Sequence, residues 1–192
     1  MKDTLLYKII RFLFSSWFKI RYNPKIEGMD NIPDSGPVII VANHFSNLDF
    51  ISMGLTTKRQ VHFLAKNTLF KGPLKIILNG VGAISVNRTV KDKSVTKNSR
   101  EVLKKNLVLG LFPEGTFNKT DDVVAPFKIG AVKFASDTNT PIIPVVIIGK
   151  YKRNRLKIII GKQFVVKTKN LDIENDRLRE LMRKMLIKNG EV

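Results

Sequence analysis

Apolar runs alternate with charged, helix-patterned segments along this chain, and that alternation predicts a single α/β domain. Two further observations support the class. The run Pro37-Val38-Ile39-Ile40-Val41-Ala42 is unbroken and rich in β-branched residues, as in a strand buried on both faces. No linker-like stretch divides the 192 residues, and no segment repeats.

The elements follow in order. Residues 4–22, TLLYKIIRFLFSSWFKIRY, carry apolar residues three and four apart, which predicts a helix with one wide apolar face. Lys8, Arg11, Lys19 and Arg21 punctuate it, and Trp17 and Tyr22 suit the headgroup level of a bilayer. The longest uncharged run, residues 12–18, is far shorter than the roughly 20 apolar residues a span needs. No small-residue cleavage site follows a clean apolar core, so a signal peptide is not expected. An amphipathic helix lying in the membrane interface is the expectation, with a core-packing helix as the alternative.

Pro24 ends that helix, because proline disfavours helix in the residue before it. Residues 25–33 read as a short strand and turn, and Asp34-Ser35-Gly36-Pro37 as a turn. The strand over 38–42 comes next and places His44 just past its end, where α/β folds build their sites. Ser46 and Asp49 have the spacing of a helix-start box, which predicts a helix over 50–55. Two residues five apart on one helix point about 140° apart. Asp49 therefore reaches His44 only if His44 lies in the loop before the helix.

Further strands are expected over 61–65, 83–86, 107–112, 141–148 and 156–160. Helices are expected over 74–78, from about 92–94 to 106, over 131–136 and over 173–188. His62 lies inside the first of those strands with no acid near it in sequence. Gly80-x-Gly82 lacks the third glycine of a dinucleotide fingerprint and follows a helix. Gly110 to Gly115 has P-loop spacing, but Thr116 stands where the lysine belongs.

The composition narrows the chemistry. There is no cysteine, which removes disulfides, thiolate metal sites and cysteine nucleophiles. With only two histidines a catalytic zinc site is not expected, and no Gly-x-Ser-x-Gly elbow is present. The formal charge of +18 implies a polyanionic partner, either nucleic acid or an anionic lipid surface. The basic residues are scattered, with no aromatic-interleaved basic motif and no recognition helix, which argues against nucleic acid.

Four strand ends deliver the reactive groups: His44 with Asp49, Lys66, Arg88, and Glu114-Gly115-Thr116. A histidine with an orienting carboxylate can deprotonate a hydroxyl. Cations can hold a phosphate, and N–H groups near Gly115 can steady an oxyanion. With no protein nucleophile in view, direct attack by a substrate hydroxyl on an activated acyl group remains.

His44-x-x-x-x-Asp49, Gly82-x-x-x-x-x-Arg88, Phe112-Pro113-Glu114-Gly115-Thr116 and the Pro144 strand stand in that order. Over residues 26–148 they resemble the four blocks of the glycerolipid acyltransferases, most closely the bacterial 1-acylglycerol-3-phosphate acyltransferases. The resemblance implies a mixed β-sheet flanked by helices, with residues 1–22 docking on the membrane and residues 23–192 forming the acyltransferase domain. It implies acyl transfer from acyl-CoA or acyl-carrier protein to the 2-hydroxyl of 1-acylglycerol-3-phosphate. No cofactor or metal is implied. His44 is then the base and Asp49 its partner. Lys66 and Arg88 bind the acceptor phosphate, Glu114 and Gly115 line the acceptor site beside Thr116, and Pro144 shapes the wall. The expected location is peripheral, on the cytoplasmic face of the cell membrane.

Three positions depart from the family pattern. Phe117 stands where many members carry an arginine, Ser85 where an aromatic is usual, and Asn87 where an acid is usual. Lys128 or Lys119 can stand in for the missing arginine. The same departure leaves a different lysolipid acceptor open.

Overall fold

A computed structural model describes residues 5–87 and 93–190. Among these residues seven strands form one sheet: β1 Lys25–Glu27, β2 Val38–Ala42, β3 Val61–Lys66, β4 Ile84–Val86, β5 Val108–Leu111, β6 Ile142–Gly149 and β7 Leu156–Ile160. Their order is β1-β7-β6-β2-β5-β3-β4, which puts β2 at the centre. All neighbours run parallel except β6 and β7. The single α/β domain with a mixed sheet is therefore present as expected.

Among the described residues six α-helices cover the sheet: α1 Leu5–Tyr22, α2 Asp49–Gly54, α3 Gly72–Gly80, α4 Lys93–Lys104, α5 Gly130–Thr138 and α6 Leu171–Asn189. β2 shows why the layers form. Its side chains alternate, so Ile39 and Val41 join one core with Leu103 of α4, Val132 of α5 and Leu178 of α6. Val38, Ile40 and Ala42 face the opposite core, with Phe18 of α1, Met53 of α2 and Ile158 of β7. All five β2 residues are fully buried. Each buried Val or Ile contributes about 2 kcal/mol.

The five parallel strands β6, β2, β5, β3 and β4 all end at the same edge of the sheet. The loops after them therefore meet, which positions the site. Arg88 and the expected helix start at residue 92 lie outside the described residues.

Element ends differ from the sequence reading for local reasons. α6 begins at Leu171 because the Asn170 side chain caps it, accepting from the Ile173 N–H at 3.2 Å. β5 starts one residue late because the Leu107 N–H still donates to Val102 O of α4. α3 takes in Gly72 and Pro73, since a first-turn proline loses no helical hydrogen bond.

α1 buries Tyr7, Phe18 and Tyr22 but leaves most of its large apolar side chains in the open. Leu5, Ile9, Phe12, Leu13 and Ile20 are all exposed, Phe12 by 70% and Ile20 by 72%. At about 100° per residue they share one side of the helix. Among the described residues no helix is long and apolar enough to cross a membrane.

Candidate active site

β2 is stopped by Asn43. Its side-chain amide pairs with Ile147 of β6 in both directions, donating to Ile147 O at 2.9 Å and accepting from Ile147 N–H at 2.8 Å. A side chain thus takes the place of the next main-chain pair, and the chain turns out of the sheet at His44.

The loop after β5 then grips His44 by its backbone. Its N–H donates to Glu114 Oε1 at 2.8 Å, and its carbonyl accepts from the Asn118 N–H at 2.8 Å. His44 is 6% exposed. Phe112 stacks on it at 4.0 Å between ring centroids, and the edges of Phe117 and Phe50 close round it at 4.5 and 5.7 Å.

His44 Nδ1 lies 2.8 Å from Asp49 Oδ2. Asp49 is fully buried at the start of α2, and the same oxygen accepts from the Phe45 and Ser46 N–H groups at 2.7 and 2.8 Å. A carboxylate receiving two main-chain donors is a fixed acceptor, so Nδ1 carries the proton and Nε2 is left as the basic nitrogen. The helix-start role and the histidine contact therefore coexist in one side chain. Ser46 does not complete the box, because its hydroxyl accepts from the Leu48 N–H instead.

His44 lines a cavity of about 230 Å³ together with Phe50, Leu64, Gly115 and Lys128. Gly115 has φ +72°, and a Cβ there would sit 2.9 Å from Lys128 Nζ. Glycine is needed for the turn and for the lysine lying across it. Among the described residues, Lys128 is the expected cation that lines this cavity. Lys66 is exposed at the end of β3, two strands from β2, where it is the register partner of Val86. Val86 does line the cavity, so Lys66 stands near its rim.

Glu114, Gly115 and Thr116 take different places around this cavity. Glu114 does not line the cavity: its carboxylate turns inward, is 4% exposed, and accepts from His44 N–H and, at 3.0 Å, from Ala125 N–H. Burial pushes its carboxyl above the usual range despite those two donors. It ties the histidine loop to the loop after β5. The Gly115 N–H is committed to Phe112 O at 2.9 Å, so that donor is spent on the turn. Thr116 is exposed and is not among the lining residues.

A second cavity, about 420 Å³, runs between α1, α2, β3 and α3 and is lined almost wholly by apolar side chains, among them Phe14, Ile51, Phe63, Leu74 and Leu78. Phe50 lines both cavities. His62 belongs to neither; it is fully buried in β3, with Nδ1 2.9 Å from Gly82 O.

A model of the acyltransferase family matches residues 23–148. The chain belongs to the acyltransferase family. This acyltransferase is 27% identical to the 1-acyl-sn-glycerol-3-phosphate acyltransferase of Bacillus subtilis, over 82% of its own length and 81% of that protein. It is 33% identical to a human 1-acyl-sn-glycerol-3-phosphate acyltransferase, termed beta, over 67% of its length and 48% of the relative. A Brassica napus chloroplast relative of the same description is 31% identical, over 78% of this chain and 45% of that one. The chain thus spans about half the length of these two larger relatives. In structure it is similar to the acyltransferase PlsC from Thermotoga maritima, with a TM-score of 0.76 over 98% of this chain and 83% of that one, at 23% identity.

Sequence reasoning passed over one residue of the acyltransferase's site. Tyr151, just beyond the end of β6, donates its hydroxyl to Asp49 Oδ1. The signal was available: β6 is parallel to β2 and ends at the same edge, so the strand-end rule that picked out His44 also applies to Tyr151.

Proposed function

We propose that the enzyme transfers a fatty acyl chain from a thioester donor, acyl-CoA or acyl-carrier protein, to the 2-hydroxyl of 1-acylglycerol-3-phosphate, giving phosphatidic acid and free thiol. The observation that carries this is the His44 imidazole, held at Nδ1 by Asp49 with Nε2 left basic at a cavity that Lys128 also lines. The acceptor hydroxyl gives its proton to His44 Nε2 as its oxygen attacks the thioester carbonyl. The tetrahedral intermediate collapses, the C–S bond breaks, and the imidazolium returns the proton to the thiolate. Asp49, ionised beside the ring, stabilises that imidazolium.

The apolar cavity between α1 and α3 suits an acyl chain, and Phe50 marks where its reactive end meets His44. Lys128 is the first choice for the acceptor phosphate, with Lys66 at the rim and Arg88 two residues beyond Val86 as further cations. Phe117 keeps a second acceptor in play: its ring packs on His44 where many members carry an arginine, which favours an acceptor without a second anionic contact there. The deciding assay offers purified enzyme a panel of lysolipids at fixed acyl-CoA and, separately, acyl-carrier protein, and follows free thiol. Lysophosphatidic acid is expected to turn over fastest. Preference for a lysolipid lacking the phosphomonoester would overturn the acceptor assignment.

The exposed apolar side of α1, flanked by Lys8, Arg11, Lys19 and Arg21, suits peripheral docking on an anionic membrane at its cytoplasmic face. Replacing Phe12 and Ile20 together by glutamate removes apolar surface without touching the core. Binding to phosphatidylglycerol vesicles, read by sedimentation, is then expected to fall at least about tenfold, since each buried side chain is worth on the order of 2 kcal/mol. Unchanged binding would remove α1 from the docking surface.

A further inference from the structure

The pair His44–Asp49 does not end at Asp49. Its second oxygen, Oδ1, accepts the hydroxyl of Tyr151, and that hydroxyl in turn lies 3.0 Å from Ser52 Oγ on α2. With Tyr151 donating to the carboxylate, Ser52 donates to Tyr151. Burial and the Asp49 charge hold the Tyr151 hydroxyl far above its ordinary range, so it stays a protonated donor at any working pH.

Tyr151 is itself held from outside the site. Its ring packs edge-on against Phe18 and Tyr22 of α1, at 6.0 and 5.6 Å between centroids, and lies tilted against Phe45 of the histidine loop at 5.5 Å. The turn that carries it is strapped to the end of α1. The Asn154 N–H donates to Tyr22 O at 2.8 Å, Arg153 donates to Ile20 O at 2.6 Å, and the Asn23 amide donates to Asn154 Oδ1 at 2.8 Å. The helix that exposes its apolar side thus fixes the turn, the turn fixes Tyr151, and Tyr151 holds Asp49 Oδ1, the carboxylate oxygen that does not face His44.

We propose that Tyr151 is a positioning residue for the His44–Asp49 pair, completing a chain from the end of α1 through Asp49 to the base. It acts through Asp49 and touches no substrate. It has two effects. It fixes the plane of the carboxylate, and it draws charge from the oxygen that does not face His44. Removing the donor concentrates that charge on the remaining contact, which favours the protonated imidazole. The groups facing the pair are Glu114 from the loop after β5, Tyr151 from the β6–β7 turn with Tyr22 of α1 behind it, and Lys128 at the cavity. None of them replaces the lost donor on Oδ1.

The inference rests on the proposed role of His44, so its test carries an arm that needs no turnover. Two histidines make the imidazole NMR spectrum readable, with His62→Gln identifying the other signal. In Tyr151→Phe, which keeps the ring packing, the His44 titration midpoint is expected about half a unit or more above wild type. Ser52→Ala is expected to move it the same way by less. With lysophosphatidic acid and acyl-CoA, Tyr151→Phe is expected to lower kcat about tenfold with KM within twofold, and to carry the acid limb of the pH–rate profile upward by the same shift. An unmoved His44 titration overturns the proposal, as does a kcat that falls only in step with the melting temperature. A wild-type enzyme that titrates as expected but transfers no acyl chain overturns the proposed function and leaves the coupling of Tyr151 to His44 standing.

Discussion

His44→Ala is expected to lower kcat by at least about a thousandfold, with KM and fold retained, because a positioned general base contributes about 10²–10⁴ and no neighbouring group can take its place. Of the side chains packed on the imidazole, Phe112, Phe117 and Phe50 carry no titratable atom. Asp49 is fully buried behind the ring, and the carboxylate of Glu114 is occupied by two main-chain N–H groups. The fold should survive, since the bonds that hold this loop to Glu114 and Asn118 use the His44 main chain and persist in alanine. Thiol release from acyl-CoA in the presence of lysophosphatidic acid, with a thermal melt beside it, makes the measurement. Wild-type turnover in this variant would remove His44 from the mechanism.

Asp49→Asn and Asp49→Ala are expected to part company. Asparagine can turn its carbonyl oxygen toward the three donors that Oδ2 now serves, the His44 ring and the Phe45 and Ser46 N–H groups, and its amide toward Tyr151. The loop then stays in place but the negative charge is gone. The imidazolium that forms during transfer loses its counter-ion, and kcat is expected to fall about 10²–10⁴-fold with little change in melting temperature. Alanine leaves those buried donors unpaired, at about 1–3 kcal/mol each. It should therefore lose activity and also melt about 5 °C or more below wild type, since 1 kcal/mol moves a domain of this size by about 2–4 °C. Equal melting losses in the two variants would mean that Asp49 matters only as a helix start. Full activity in Asp49→Asn would mean that its charge plays no part.

Much of the arrangement was readable in the chain because it is local. The continuous apolar run of β2 requires burial on both faces, and the histidine five positions ahead of an acid needs only a short loop to bring the two together. The spacing of apolar residues in α1 foretold a helix with a wide apolar side. The sequence favoured an interfacial helix but left a core-packing one as the alternative; the structure leaves this side uncovered by the rest of the protein, an outcome that depends on where the first helix leaves the sheet. Glu114 has the direction of its carboxylate set at long range for a related reason. Its position after a strand is a property of sequence, but the direction of its carboxylate is set by the loops that bring His44 and Ala125 against it, 70 and 11 positions away.

Tyr151 makes the division plainest. Hydrophobic period, turn chemistry and strand ends are near-neighbour properties, and these determined the α/β class, the order of the elements, the amphipathic first helix and the His44–Asp49 spacing. The tyrosine lies 102 positions from the carboxylate it holds. Nothing periodic links the two; they meet because β6 pairs with β2 and the turn after it is strapped to the end of α1. The tertiary structure alone decided that Lys128 shares the cavity with His44, which way Glu114 faces and what closes the far side of Asp49. Each of these depends on loops from different strands packing together at one edge of the sheet, and the geometry of that packing is written in no single stretch of the chain.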